Sequence, residues 1–303
     1  MLIGDENIWI TGAQGQVGST LAHMLSDMRL NMLLTDREEV DVTDMEAVRA
    51  YVEMYRPDVI INCAGVCGVD FCEENSDLAY KVNAIGARNL SVAARSVHAK
   101  LVQISTDDIF DGRADTPYNE FSVPTPGSVY GKSKMAGEEF VRTIASRHLI
   151  IRSSWVYGNG ENYVTSLLEK ARGAAEVEAA EDQFGSPTSA AELARAICRL
   201  LDADAYGLYH VVCRGVCSRK AFAERILELA GSRARVVGVK TCRAEETAAE
   251  EGYTGADTGI PESGRPAYAV LDNLMLRLDG IALPRDWESA LDEYMRELRY
   301  SRS

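Results

Sequence analysis

The chain has 303 residues, enough for two domains or one large one, and its 46% apolar and 26% charged content excludes wholesale disorder. Its 32 Lys and Arg against 46 Asp and Glu give a net charge of −14, which speaks against nucleic acid or an anionic membrane as the main partner, since both require clustered cations. No run approaches the ~18 apolar residues of a membrane span, the first residues carry acids and no basic signal region, and seven cysteines form no even disulfide framework. The expectation is a cytoplasmic protein with reduced thiols. Cys63, Cys67 and Cys72, like Cys213 and Cys217, lack zinc-ligand spacing and a nearby histidine, so no metal is expected.

In chain order, residues 7–11 read as a buried strand, closed by the turn Gly12-Ala13-Gln14-Gly15-Gln16-Val17-Gly18. Helical spacing follows over 19–28, a second strand over 31–35, and a helix over 45–55 that Pro57 stops. Residues 58–62 read as a strand running into Cys63-Ala64-Gly65, residues 77–97 as one long helix, and 100–105 as a further strand. This alternation predicts a parallel sheet with helices on both faces. The second half is less regular: strands at 148–153 and 207–212, helices at 163–171, 190–201, 219–229 and 289–298, and a polar loop over 241–266.

The glycines at 12, 15 and 18 lie between a strand and a helix. Lacking Cβ atoms, they let the backbone turn tightly and approach a pyrophosphate, which the N–H groups of the next helix then face. Asp36, 24 positions beyond Gly12, suits the adenosine ribose hydroxyls and opposes a 2′-phosphate, whereas Arg37 suits that phosphate; NADH and NADPH both stay open. Asp41 and Val42 are placed to cover the adenine, or form a plain surface turn. Tyr130 and Lys134 are four apart, so a helix beginning here puts them on one face. An ammonium beside a phenol lowers its pKa from ~10 toward working pH, which makes the pair a candidate acid or base; the bland alternative is a surface pair. Thr106 ends a strand at the sheet edge where ligands bind, able to donate to a carbonyl oxygen or simply to cap a turn with Asp107.

Together with Asn62-x-Ala64-Gly65, Ser105-Thr106-Asp107 and Tyr130-x-x-x-Lys134, the glycine turn resembles that of the extended short-chain dehydrogenase/reductases. Val69-Asp70 with Glu73, Arg152 to Gly158, Asp182-Gln183-Phe184-Gly185-Ser186-Pro187-Thr188, Arg265-Pro266 and Trp287 make the chain similar to the dTDP-4-dehydrorhamnose reductase family within it. The resemblance implies a Rossmann-like, doubly wound α/β fold with a smaller C-terminal substrate-binding lobe. The dinucleotide domain is expected over 1–155 with 188–206 returning to it, and the lobe over 156–187 and 207–303.

It further implies NADPH or NADH held by Gly12, Gln14, Gly15, Gln16, Val17, Gly18, Asp36, Arg37, Asp41, Val42, Cys63, Ala64, Gly65, Asn83, Tyr130 and Lys134. Hydride would reduce the C4 ketone of a nucleotide-linked deoxysugar, with Tyr130 as acid, Lys134 tuning it, Thr106 orienting the ketone, and Asp107, Asp108 and Trp155 at the sugar. Trp155 reads alternatively as a core aromatic. A homodimer is compatible with the family. The chain departs from the family pattern at Asp108, where Tyr is usual, at Val66-Cys67-Gly68, where an aromatic or His precedes the Val-Asp pair, and at Arg219, where Trp commonly follows Cys-Ser. Thr106-Asp107-Asp108 also approaches the Thr-Asp-Glu of sugar-nucleotide dehydratases, and some relatives are dinucleotide-binding regulatory subunits; a dehydratase or epimerase, and a non-catalytic regulatory subunit, remain alternatives to the reductase reading.

Overall fold

The structure, a computed structural model, describes residues 6–26, 30–241 and 265–300. The first half alternates strand and helix: β1 (Asn7–Thr11), α1 (Gln16–Ser26), β2 (Asn31–Thr35), α2 (Met45–Tyr55), β3 (Val59–Asn62), α3 (Val69–Glu74), α4 (Ser76–Tyr80), α5 (Ala87–Val97), β4 (Lys100–Thr106), α6 (Val129–Ile144) and β5 (His148–Ser153). The second half adds β6 (Val156–Tyr157), α7 (Tyr163–Lys170), β7 (Glu176–Ala180), β8 (Phe184–Gly185), β9 (Thr188–Ser189), α8 (Ala190–Asp202), β10 (Gly207–His210), β11 (Cys217–Ser218), α9 (Arg219–Ala230), β12 (Arg235–Val239), α10 (Leu274–Leu278) and α11 (Trp287–Tyr300).

Among the described residues, six strands form one parallel sheet in the order β2-β1-β3-β4-β5-β10. The two-residue period of a strand sends neighbours to opposite faces. Ile8 and Ile10 join Leu21, Leu25, Ile197 and Leu200 in the layer beneath α1 and α8. Trp9, between them, joins Val48, Val52 and Leu90 beneath α2 and α5. Burial on both faces explains the nearly unbroken apolar runs of β1 and β3. This is the expected Rossmann-like α/β fold.

Two expectations change. Residues 77–97 are not one α-helix: α4 and α5 are joined by a π-helical turn over Lys81–Gly86. Residues 207–210, expected in the lobe, form β10, which pairs in register with β5 and completes the large sheet. Its Tyr209 is buried in one apolar layer and its Leu208 packs, partly buried, against the opposite one. The expected helix over 19–28 begins at Gln16; its end at Met28 lies outside the described residues, as does 242–264 of the polar loop. A separate apolar cluster, built from Tyr157, Leu167, Val177, Phe222, Ile226, Trp287 and Leu291, forms the core of the C-terminal part.

Candidate active site

The chain leaves β1, crosses to β2 on one side, and returns through β3 on the other. This reversal of direction in the strand order makes the crevice at the carboxyl ends of β1 and β3 a ligand position. The glycine turn lies there, and its three glycines do different work. At Gly12, φ is +64°, and an added Cβ would lie 2.7 Å from the Ala64 nitrogen. At Gly18 it would lie 2.2 Å from the Gly12 carbonyl oxygen, so both glycines serve close packing. At Gly15 it would meet only that same carbonyl, at 3.3 Å, and this is the face a phosphate can approach. Gln16 opens α1, and its Oε1 is buried without a hydrogen-bond partner among the described residues. The turn thus fits a dinucleotide pyrophosphate.

Polar bonds across the sheet hold this edge. Thr11 Oγ1 donates to Asn62 Oδ1 at 2.8 Å, and Asn62 Nδ2 donates to Gln103 Oε1 at 2.8 Å. Asn62 Oδ1 also accepts from the Ala64 N–H, which fixes the wall against Gly12. Asp36 Oδ2 accepts from the Gln14 N–H at 3.1 Å and Oδ1 from the Arg37 N–H, so this carboxylate ties β2 to the turn. Arg37 is exposed and reaches toward Asp41 at 3.9 Å. Val42 is buried, and its carbonyl accepts from Asn89. In the π-helical turn Asn83 brackets the Val66 backbone, accepting from its N–H at 2.9 Å and donating to its carbonyl at 3.1 Å, and also donates to Ser133 Oγ. Widened turns of this kind recur at functional sites, and here one aims an amide at the loop after Gly65.

Tyr130 and Lys134 stand on the first turns of α6. Ser128 caps this helix by accepting from the Gly131 N–H, and Glu73 of α3 accepts from the Val129 N–H at 2.7 Å. A Cβ on Gly131 would lie 2.1 Å from the Asp108 carbonyl oxygen, so glycine brings α6 onto the end of β4. Lys134 is buried; its Nζ donates to the Ile104 carbonyl at 2.7 Å and lies 3.8 Å from a Cβ built on Gly65. Thr106 takes its capping role: Oγ1 accepts from the Asp108 N–H at 3.2 Å. It also lies against Asp107 Oδ1 at 3.1 Å and Asp108 Oδ2 at 3.3 Å, while Asp107 Oδ2 accepts from Ser154 Oγ at 2.7 Å.

The expected lowering of the Tyr130 pKa by Lys134 is corrected. Burial first, then the Cys67 thiol and the Asp108 carboxyl, hold this phenol well above its usual value, with a hydrogen bond to the Thr106 side chain opposing them. Burial also pulls the Lys134 ammonium down. A raised phenol is protonated at neutral pH, which is the form that donates. Burial and the Asp108 charge push Asp107 up to about 7. Asp108 is likewise raised by burial, against the pull of Arg265 and Arg219.

Trp155 lies in the left-handed region, φ 45°, with its ring edge where a Cβ on Gly185 would sit, 2.5 Å from Cε2. The Arg219 guanidinium covers the indole at 3.6 Å and stands 5.0 Å from the Tyr163 ring. A cation therefore occupies the ring that the sequence assigns to the sugar. The segment Asp182 to Thr188 builds this corner, Gln183 accepting from the Arg219 N–H and Ser186 Oγ donating to the Gly215 carbonyl.

Sequence patterning passes over Glu138. It accepts from Arg152 Nε at 2.9 Å and Nη2 at 2.7 Å, and from Ser105 Oγ, with both charged side chains almost wholly buried. The signal was available: 130, 134 and 138 share one helical face. His210, at the far side of Arg152, is pushed down to about 3 by burial and by that guanidinium.

Residues 6–300 match the RmlD substrate binding domain family. The chain belongs to that family. This RmlD-family chain is 36% identical over 291 residues to the spore coat polysaccharide biosynthesis protein SpsK of Bacillus subtilis (strain 168), covering 96% of this chain and 97% of that one. A dTDP-4-dehydrorhamnose reductase of Clostridium acetobutylicum superposes with a TM-score of 0.90 at 39% identity, covering 97% of this chain and 99% of the other. That of Bacillus anthracis, in complex with NADP, does so with a TM-score of 0.88 at 37% identity, over 97% and 99%. Among the described residues no helix is long and apolar enough to cross a membrane.

Proposed function

We propose that this RmlD-family chain reduces the C4 ketone of a nucleotide-linked 6-deoxysugar, namely dTDP-4-dehydro-L-rhamnose to dTDP-L-rhamnose, with NADPH or NADH. The observation that carries this is the convergence of Thr106, Tyr130 and Lys134 beside Gly65, at the crevice the glycine turn opens. The Bacillus anthracis relative with NADP supports the cofactor, and the names of the relatives support the substrate.

The reduced nicotinamide supplies the hydride. Gly12, Gly15 and Gly18 with Gln14, Gln16 and Val17 would hold its pyrophosphate, Asp36, Arg37, Asp41 and Val42 would take the adenosine end, and Cys63, Ala64, Gly65 and Asn83 would line the rest of the dinucleotide site. Tyr130 donates its proton to the forming alkoxide. Thr106 orients the carbonyl oxygen, and Lys134, anchored on the Ile104 carbonyl, would hold the nicotinamide ribose. Arg219, lying on Trp155, meets the sugar nucleotide in place of the indole face, with Asp107 and Asp108 opposite. In this reading the described residues up to 155, with 188–210, form the dinucleotide part and the other described residues the substrate lobe, in a cytoplasmic enzyme that is compatible with a homodimer.

The test is to mix the purified chain with dTDP-4-dehydro-L-rhamnose and NADPH or NADH and follow the reduced-nicotinamide absorbance. Loss of absorbance that depends on the ketosugar is expected. No oxidation with any dTDP-, GDP- or UDP-linked ketosugar would contradict the proposal.

A further inference from the structure

Three oxygen contacts and one nitrogen contact crowd a single hydroxyl. Thr106 Oγ1 accepts from the Asp108 N–H, lies 3.1 Å from Asp107 Oδ1 and 3.3 Å from Asp108 Oδ2, and its hydroxyl acts on the Tyr130 phenol. The hydroxyl carries one proton. Whichever oxygen receives it, another carboxyl contact remains, and two bare lone pairs at that separation repel unless the carboxyl itself bears a proton. Asp107 Oδ2 is already occupied by Ser154 Oγ. Asp107 is only 4% exposed, and Asp108 beside it is half-buried.

The groups facing the pair come from several elements. Arg219 and Arg265 favour its anionic form. Against them stand burial and the two carboxyls' mutual repulsion. Cys72 of α3 and Tyr130 of α6 also face Asp108. The balance is a raised carboxyl, with Asp107 at about 7.

We propose that Asp107 and Asp108 hold one proton between them and pass it through Thr106 to Tyr130 after each reduction. The inference rests on the reductase reading. Hydride adds to the ketone carbon, and the electron pair of the C=O π bond moves to oxygen. That oxygen takes the Tyr130 proton as the phenolic O–H bond breaks. The phenolate takes the Thr106 hydroxyl proton, and Thr106 Oγ1 takes the Asp108 carboxyl proton. A proton taken up from solvent then restores the carboxyl, so each reduction consumes one solvent proton. No oxidant or reductant beyond the hydride donor takes part. Asp108 acts through Thr106 and is a positioning and proton-supplying residue.

Two readouts test it. Carbon-13 NMR of aspartate carboxyls in the full chain, without substrate, should show one carboxyl titrating between about pH 6 and 8, and this titration should vanish in Asp108→Asn. Both carboxyls fully ionised at pH 6 would overturn the proposal. In steady state, kcat of the wild-type chain should fall as pH rises through the same interval. Asp108→Asn should lower kcat by about tenfold or more and abolish that alkaline limb, and Asp108→Glu should restore both. Wild-type kcat and an unchanged pH profile in Asp108→Asn would overturn the relay while leaving the reductase reading intact. A wild-type chain that reduces no ketosugar would instead overturn that reading, and the relay with it.

Discussion

Gly12 shows how much one missing Cβ decides. Its φ of +64° and the 2.7 Å approach of Ala64 leave no room for a side chain. Gly12→Ala should destabilise the fold by about 1–3 kcal/mol, from the strained φ and the overpacked wall, and weaken dinucleotide binding; a denaturant midpoint and a nucleotide titration both unchanged would contradict this. At the other end of the cofactor path, Arg37 is exposed and only 3.9 Å from Asp41, so it is available to a 2′-phosphate. Arg37→Ala should weaken NADPH binding severalfold and leave NADH binding nearly as it was, by titration of each. Equal loss for both nucleotides would assign Arg37 another role. The glycine turn, Thr106, Tyr130 and Lys134 were legible in the sequence because each signal is local: a turn between a strand and a helix, a strand end, four residues on one helix face. Arg219 over Trp155 was not, since 64 positions separate the two and only Gly185, from a third segment, makes the corner in which they meet.

Helix α6 carries both Tyr130 and Lys134, so its attachment governs the site. Three kinds of contact fix it: Ser128 and Glu73 cap its start, Gly131 seats it on the β4 end, and Glu138 locks it to Arg152 of β5. A bidentate pair this deeply buried costs most when one partner is removed, because the other charge is stranded. Glu138→Ala should therefore lower unfolding free energy by about 3–5 kcal/mol in denaturant melts; a change below about 1 kcal/mol would show that water or another group compensates. The π-helical turn between α4 and α5 lay beyond sequence patterning. Apolar spacing over 77–97 is continuous, and the widening follows from tertiary contacts, Asn83 to Val66 and Gly86 against Val42.

Across the whole molecule, a net charge of −14 coexists with a corner that gathers Arg219 and Arg265 beside two carboxyls, so overall charge did not forecast the local field. Burial and Arg265 pull Arg219 down only to about 10, which leaves it cationic at neutral pH. The six-stranded order was legible as a class from strand–helix alternation. The assignment of β10 to the large sheet was not, because a four-residue apolar strand carries no label of its neighbour. His210 on β10 links the sheet to acid stability. Its folded pKa, about 3, lies below its unfolded 6.5, so the unfolded chain binds the extra proton. This contribution is complete above pH 6.5 and is lost as pH falls, by about 1.4 kcal/mol per unit, until about pH 3. The difference in unfolding free energy between wild type and His210→Gln should shrink with that slope between pH 6 and 4; a constant difference would contradict it.

The central claim is that the Tyr130 phenol delivers the proton while the glycine turn holds the hydride donor. Tyr130→Phe in the full chain separates these, since it deletes one hydroxyl and leaves the turn untouched. Titration by tryptophan fluorescence should show NADPH bound within about twofold of wild-type affinity, while ketosugar-dependent oxidation falls by about 100-fold or more. Oxidation at the wild-type rate in Tyr130→Phe would contradict the account.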